Sequence, residues 1–382
     1  MSYIVAIYFL KSAIMFLFRY LLAPSQFLLI NIFLTAIIIL LIYLNLKLIL
    51  KRSLLVFIFV EIFLALIIVI SLIQGNADNL LLMRYAFFLM FQYIPIAMYI
   101  YSVKNKELFY KIFLNMSFYI SSFLSIFAFL LIRDGSPYNM SLSYAILIPA
   151  LFHLNEIFST KPNKRNLHFV FFLIDMLVMV LYGARGPFLG IIMLFLIKTL
   201  FSTTLPKKIV IVLLTTFFFT LFLIYFNDVG RIILNILDNM GYNSRTIWLL
   251  FTGKINHDAG RREIIVYYFT NILQKPILGW GVNGGWIAPG LYPHNLIVEI
   301  LHSFGFIIGS IFCFILSFFS IKMIKQKDKM LRDLLFIFFS ASLPLIMLSG
   351  NFLGSFYFWI FIILSINPKK VIALTRYIKR NE

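Results

Sequence analysis

The sequence predicts an all-α polytopic membrane protein of about 12 transmembrane helices, with one long outward-facing loop that contains short helices. Three observations predict it. Of 382 residues, 62% are hydrophobic and only 12% are charged, whereas a soluble domain is about half apolar and about a quarter charged. The apolar residues lie in runs of the roughly 20 residues that a bilayer-crossing helix needs. The basic residues gather between the runs, on alternate connections.

Taken in order, the runs place spans at about 3–21, 26–46, 53–74, 79–102, 112–132, 138–157, 167–183, 187–203, 209–226, 295–321, 333–350 and 352–367. The first holds Lys11 near its middle. It reads as a retained span, because no small-residue cleavage pattern follows its apolar stretch. The last two are either separate crossings or one hairpin that dips in and out. The chain therefore divides into helices 1–9 (1–226), an outer loop (227–294), and C-terminal helices with a basic tail (295–382).

A net charge of +19 invites a nucleic-acid reading, but the placement of the charge argues for topology instead. One set of connections carries Lys47, Lys51 and Arg52, then Lys104, Lys106 and Lys111, then Lys161, Lys164 and Arg165. Lys207 and Lys208, Lys325 to Arg332, and the tail continue it. The other set carries little beyond Arg133 and Arg185. Basic loops stay on the cytoplasmic side, so both termini are expected there, in a bacterial cytoplasmic membrane. Nucleic acid is not an expected partner. The single cysteine, Cys313, excludes an intramolecular disulfide and a cysteine-rich metal site.

The connection from Asn227 to His294 is far longer than the others. Loops beyond about 12–15 residues are usually functional or disordered, and this one is rich in aromatic and aliphatic residues. The stretch 261–274 (RREIIVYYFTNILQ) has the character of a short helix, with Asp258 as a candidate N-cap and Pro276 as its stop. The run Gly279-Trp280-Gly281-Val282-Asn283-Gly284-Gly285 reads as tight turns where backbone approaches something closely. The loop is expected to fold on the outer membrane surface.

Three separated motifs stand out. Gly183-Ala184-Arg185-Gly186-Pro187 is a small-residue turn around an arginine between two spans. Gly260-Arg261 lies in the long loop, with Arg262 beside it. Pro276-Ile277-Leu278-Gly279-Trp280-Gly281 is followed by His294-Asn295 at a span entry, with Gly305 and Gly309 further along. In order, spacing and sidedness these resemble the bacterial O-antigen polymerase and ligase family, over roughly 183–309. The resemblance implies a GT-C-like membrane glycosyltransferase. Its donor would be a glycan on undecaprenyl pyrophosphate and its acceptor a second lipid-linked glycan. A flippase and a chain-length regulator would be its protein partners, beside membrane lipid. A Wzy-type repeat-unit polymerase of O-antigen, capsule or another surface polysaccharide is the leading expectation. An O-antigen ligase or protein O-oligosaccharyltransferase is the alternative, and a lipid-linked glycan flippase or transporter the second.

The residues suit that chemistry. A pyrophosphate leaving group concentrates negative charge, and arginine meets it with a planar fork of donors that stays protonated. Arg185 and Arg261 are the expected catalytic cations, with Arg262 and Arg84 as further donor contacts. Gly186, Gly279 and Gly281 are expected to let backbone approach the substrate. The bland reading of such arginines is snorkelling to head groups; the glycines around Arg185 favour a shaped turn instead. No Asp-x-Asp motif occurs, and outward acidic residues are few. Metal-independent transfer without a cofactor is therefore expected, the arginines taking the place of a cation.

His294 is the expected catalytic base. The acceptor is a sugar hydroxyl, and removal of its proton by a positioned base is typically worth about 10²–10⁴-fold. Histidine titrates in the useful range. Asn295 is expected to orient the ring or the acceptor. His302, two turns along the same span, is expected to be too deep to matter. Lys11, Glu61, Asp175 and Glu299 lie inside spans, where charged groups are functional suspects by default, but each reads as a helix–helix contact. His153 and His168 have no evident partner.

Overall fold

A computed structural model describes residues 24–44, 60–65, 67–69, 79–103, 105–133, 140–159, 165–182, 185–202, 205–239, 261–282, 293–348 and 350–366, with isolated positions at 58, 71, 72, 241, 248, 251 and 284. The first predicted span, Asp258 as a cap, and the residues Gly183, Ala184 and Gly260 lie outside these. Among the described residues the chain is all-helical, without a β-strand. The helices are α1 (Pro24–Leu44), α2 (Asn79–Phe88), α3 (Ile94–Ser102), α4 (Lys106–Arg133), α5 (Met140–Ile157), α6 (Arg165–Tyr182) and α7 (Arg185–Ser202). Then come α8 (Leu205–Ile224), α9 (Phe226–Asn239), α10 (Arg261–Gln274), α11 (Leu296–Ile324), α12 (Lys329–Leu348) and α13 (Phe356–Ser365).

Six helical stretches among the described residues are long and apolar enough to cross a membrane: Tyr85–Ser102, Lys106–Leu131, Met140–Ile157, Arg165–Tyr182, Leu296–Ile324 and Lys329–Leu348. Gly186–Phe201 and Phe356–Ser365 are shorter apolar helices. The exposed faces of these elements are themselves apolar. Tyr119, Ile126, Leu196, Phe314 and Phe318 all point outward. Large apolar side chains turned outward along a helix are what it shows to lipid.

The chain forms two compact units. One comprises Met1–Leu34, Glu107–Ala259 and Leu343–Leu345; the other comprises Thr35–Lys106, Gly260–Ser342 and Ile346–Glu382. In the first unit α5 is the central element, buried along most of its length and packed on α6 and α7. Phe109, Phe113 and Phe152 build one end of that core. Tyr182 closes the other, donating its hydroxyl to the Ala128 carbonyl at 2.8 Å. Gly186, the second residue of this unit's α7, lies directly against the Tyr144 hydroxyl, which a Cβ there would displace. The sequence reading missed α9. Its Ile232, Ile233 and Ile236 share one face and Asp228, Arg231 and Asn235 the other, the division of a helix lying at an interface.

In the second unit the predicted span 79–102 is two helices joined by a π-helical turn, Leu89–Tyr93. Pro95 explains the irregularity: it has no N–H to return to the preceding turn and its ring crowds that carbonyl. The last helix, α13, packs on α3, with Phe356 against Tyr93 and Phe361 against Phe339. Asn351 ties the turn before α13 together. Its amide donates to the Tyr85 hydroxyl at 2.8 Å, and its oxygen accepts from Gly354 N–H at 2.6 Å.

Candidate functional site

The helix expected at 261–274 is present as α10, Arg261–Gln274. It ends before Pro276, whose ring excludes a further turn. The chain then folds back onto α11 through backbone hydrogen bonds. Gly305 breaks α11 with φ 73° and ψ 177°. In an unbroken helix the carbonyls of His302 and Ser303 would accept from the amides of Phe306 and Ile307. Here they accept from Trp280 N–H at 2.9 Å and Gly281 N–H at 3.0 Å, while Phe306 N–H donates to the Pro276 carbonyl at 2.6 Å. The loop replaces the missing helical bonds with its own. Backbone groups left unpaired at membrane depth cost several kcal/mol each, so the broken helix and the loop depend on each other.

The glycines make this joint possible. Gly279 and Gly281 have φ of 68° and 80°, the left-handed region that side chains disfavour. A Cβ on Gly279 would lie 2.6 Å from the Ser303 oxygen, and one on Gly305 would strike the Ile277 carbonyl. Gly279 N–H donates to the Lys275 carbonyl, so the amides of Gly279 and Gly281 both serve protein carbonyls. In the structure they form this joint.

Side chains lock the joint. Trp280 stacks on His302 with ring centroids 6.2 Å apart, and its indole N–H donates to the Asn271 carbonyl at 2.8 Å. Lys275 lies over the same indole at 4.0 Å. Tyr268 meets His302 edge-on at 4.7 Å. His302 is thus a buried packing centre. Beyond the joint, Val282 N–H donates to the Ser71 hydroxyl at 2.9 Å.

His294 and Asn295 open α11. His294 has φ 51°, a conformation no other non-glycine residue adopts among the described residues, and one that histidine tolerates better than most. Its ring is half-buried. Asn295 is the N-cap: its Oδ1 accepts from Ile297 N–H at 3.0 Å and Val298 N–H at 3.2 Å. Where the sequence suggested that Asn295 orients ring or acceptor, the structure commits its oxygen to starting the helix. One turn on, buried Glu299 accepts from the Phe352 backbone.

Tyr268 of α10 packs against His302 of α11. Arg261 lies seven residues before Tyr268, and Asn295 seven before His302. Arg262 is exposed. Below it Val266, Phe269 and Leu273 follow at helical spacing and are also exposed, so one face of α10 is an arginine heading an apolar stripe. Arg84 lies within α2, and Arg185 is the first residue of α7 in the other unit.

The sequence reading missed a second polar cluster, in the first unit. His153, His168, Asp175 and Ser121 meet inside the α4–α5–α6 packing. Its only signal in sequence was the presence of titratable residues within apolar runs. Compared with known proteins, the chain matches no family model, no curated protein and no solved structure. The fold therefore defines a class, an all-α membrane protein.

Proposed function

We propose that the protein transfers a glycan from a polyprenyl-pyrophosphate carrier to a sugar hydroxyl, as a repeat-unit polymerase of a surface polysaccharide. The observation that carries this reading is the exposed face of α10. Arg262 heads a stripe of Val266, Phe269 and Leu273. A pyrophosphate joined to a polyprenyl chain has the matching pattern, an anion followed by an apolar tail. Arg262 takes the pyrophosphate in this reading, with Arg261 beside it at the α10 N-terminus, where backbone N–H groups also favour an anion.

The joint between 276–281 and the α11 break supports the same reading. It couples the arginine-bearing helix to the helix that His294 opens. His294 then removes the proton of the acceptor hydroxyl, the hydroxyl oxygen attacks the anomeric carbon, and the bond to pyrophosphate breaks. The charge of the departing pyrophosphate is met by Arg261 and Arg262. The topology that goes with this mechanism has about twelve spans, both termini in the cytoplasm and the 227–294 loop outside.

Gene deletion followed by electrophoresis of surface polysaccharide tests the proposal. A polymerase leaves a single repeat unit attached. Full-length polymer that accumulates on its carrier would point to a ligase, and an unchanged polysaccharide pattern would overturn the reading.

A further inference from the structure

A line of four buried side chains crosses from α6 to α5 to α4 and back, and none of them takes part in the chemistry proposed above. His168 Nδ1 lies 3.1 Å from His153 Nδ1. On the other side of its ring, His153 Nε2 lies 3.3 Å from the Ser121 hydroxyl, which lies 3.0 Å from Asp175 Oδ2. His153, Ser121 and Asp175 are wholly buried, and His168 nearly so. Phe118 covers both rings, with centroids at 4.7 and 4.8 Å. We propose that His168, His153, Ser121 and Asp175 form a proton-binding relay that takes up and releases one proton per chain.

The geometry supports the relay because each contact needs one donor and one acceptor, and the line satisfies this in two opposite senses. In the first, His168 Nδ1–H donates to His153 Nδ1, His153 Nε2–H donates to Ser121 Oγ, and the Ser121 hydroxyl donates to an ionised Asp175. In the second, a protonated Asp175 donates to Ser121, Ser121 donates to His153 Nε2, and His153 Nδ1–H donates to His168. Passing from first to second, His168 accepts a proton at Nε2 and gives one from Nδ1. His153 accepts at Nδ1 and gives from Nε2, Ser121 accepts and gives one, and Asp175 Oδ2 keeps the last. No covalent bond to carbon changes, and the cluster gains one proton and one positive charge.

The placement fits uptake from one end. His168 stands one turn inside the start of α6, and Asp175 lies seven residues deeper, about 10 Å along the axis. The line therefore leads from the helix end toward its middle. Asp175 Oδ1 has no hydrogen-bond partner among the described residues, nor has the buried hydroxyl of Ser125, one turn along α4 from Ser121. An ionised carboxylate buried with one oxygen unpartnered is costly, and the second proton arrangement removes that charge.

The surrounding groups leave the line as the acceptor. From α4, Tyr110 donates to Glu156 of α5 at 2.7 Å, a separate pair that Asn155 joins. From α6, Arg165 is exposed at the helix start. From α7, Lys198 is buried. A metal reading is not supported: the contacts use opposite nitrogens of His153, and no three His, Cys, Asp or Glu among the described residues converge as ligands.

The test uses the purified full-length protein in lipid nanodiscs, with the proton as the probe. Infrared difference spectra are recorded as pH is stepped. The expected result is a protonated-carboxyl band that appears on acidification and is lost in Asp175→Asn. His153→Gln, which keeps a polar side chain, is expected to move the midpoint of that band by about one pH unit or more, roughly tenfold in proton concentration. Ser121→Ala should slow its hydrogen–deuterium exchange. A purely structural contact would lower the melting temperature of these variants without such a titrating band. Absence of the band wherever the wild type stays folded overturns the proposal. So does a band whose midpoint His153→Gln leaves in place, and that comparison stands even if Asp175→Asn does not fold. Neither result bears on the glycosyl-transfer reading, whose residues are elsewhere.

Discussion

Gly279 and Gly305 meet backbone to backbone: a Cβ added to Gly279 would stand 2.5 Å from the Gly305 nitrogen. Both have positive φ. Neither residue can be explained alone, because the loop that carries Gly279 supplies the hydrogen bonds that the break at Gly305 removes from α11.

Alanine at either glycine should therefore open the joint. The positive φ alone costs on the order of 1–3 kcal/mol for a residue with a Cβ, and the clash adds to it. Once one substitution has displaced the loop, the second has less to disrupt. The double variant should then lose less stability than the two singles together. Melting temperatures of the three purified variants, with proteolysis of the 275–285 segment, measure this. Strict additivity would show that the two glycines act independently.

His294 and His302 should separate by phenotype. His294→Asn keeps a residue that tolerates positive φ and removes the base, so it should fold normally, bind lipid-linked donor and fail to extend it. His302→Ala removes the ring between Trp280 and Tyr268 and should lower stability by roughly 2–4 kcal/mol, as large-to-small core changes do. Chain growth on a lipid-linked repeat unit, read beside thermal stability, gives the comparison. Near wild-type extension by His294→Asn would remove the base assignment.

For the arginines, charge alone is not expected to suffice. Lysine is a point charge and cannot reproduce a forked contact to phosphate oxygens. Arg185→Lys should be nearly as damaging to polymer length as Arg185→Ala in a complemented deletion strain with protein levels matched. Because Arg262 heads the exposed stripe, Arg262→Lys should raise the KM for donor more than Arg261→Lys does.

Asn295→Ala should cost about 1 kcal/mol through the lost cap, and Asn295→Asp should restore most of it. A melting-temperature series checks this. If activity follows stability across the series, Asn295 acts through the helix start; activity lost in the stable Asp variant would mean that its amide nitrogen touches substrate.

Sidedness follows from the basic connections. Single cysteines placed at 161–165 should resist an impermeant thiol reagent in intact cells, and those in the 227–294 loop should react. The opposite pattern would invert the topology and put the arginines on the wrong side for a flipped donor.

Local features were legible in the sequence because they follow from neighbours along the chain. Apolar runs placed helices such as Met140–Ile157 and Arg165–Tyr182 within about two residues of their ends, and Pro276 marked the end of α10. The π-helical turn before Pro95 needed the folded chain, since a proline in an apolar run permits a kink, a break or a bulge. The same held for His153, His168 and Asp175. In a background of leucine and phenylalanine, nothing local says which rare polar residues meet across three helices. The joint at Gly305 was hidden for the same reason. Its glycines were visible as motif residues, but their reason lies in hydrogen bonds between segments some 25 residues apart, and only tertiary packing brings those donors and acceptors together.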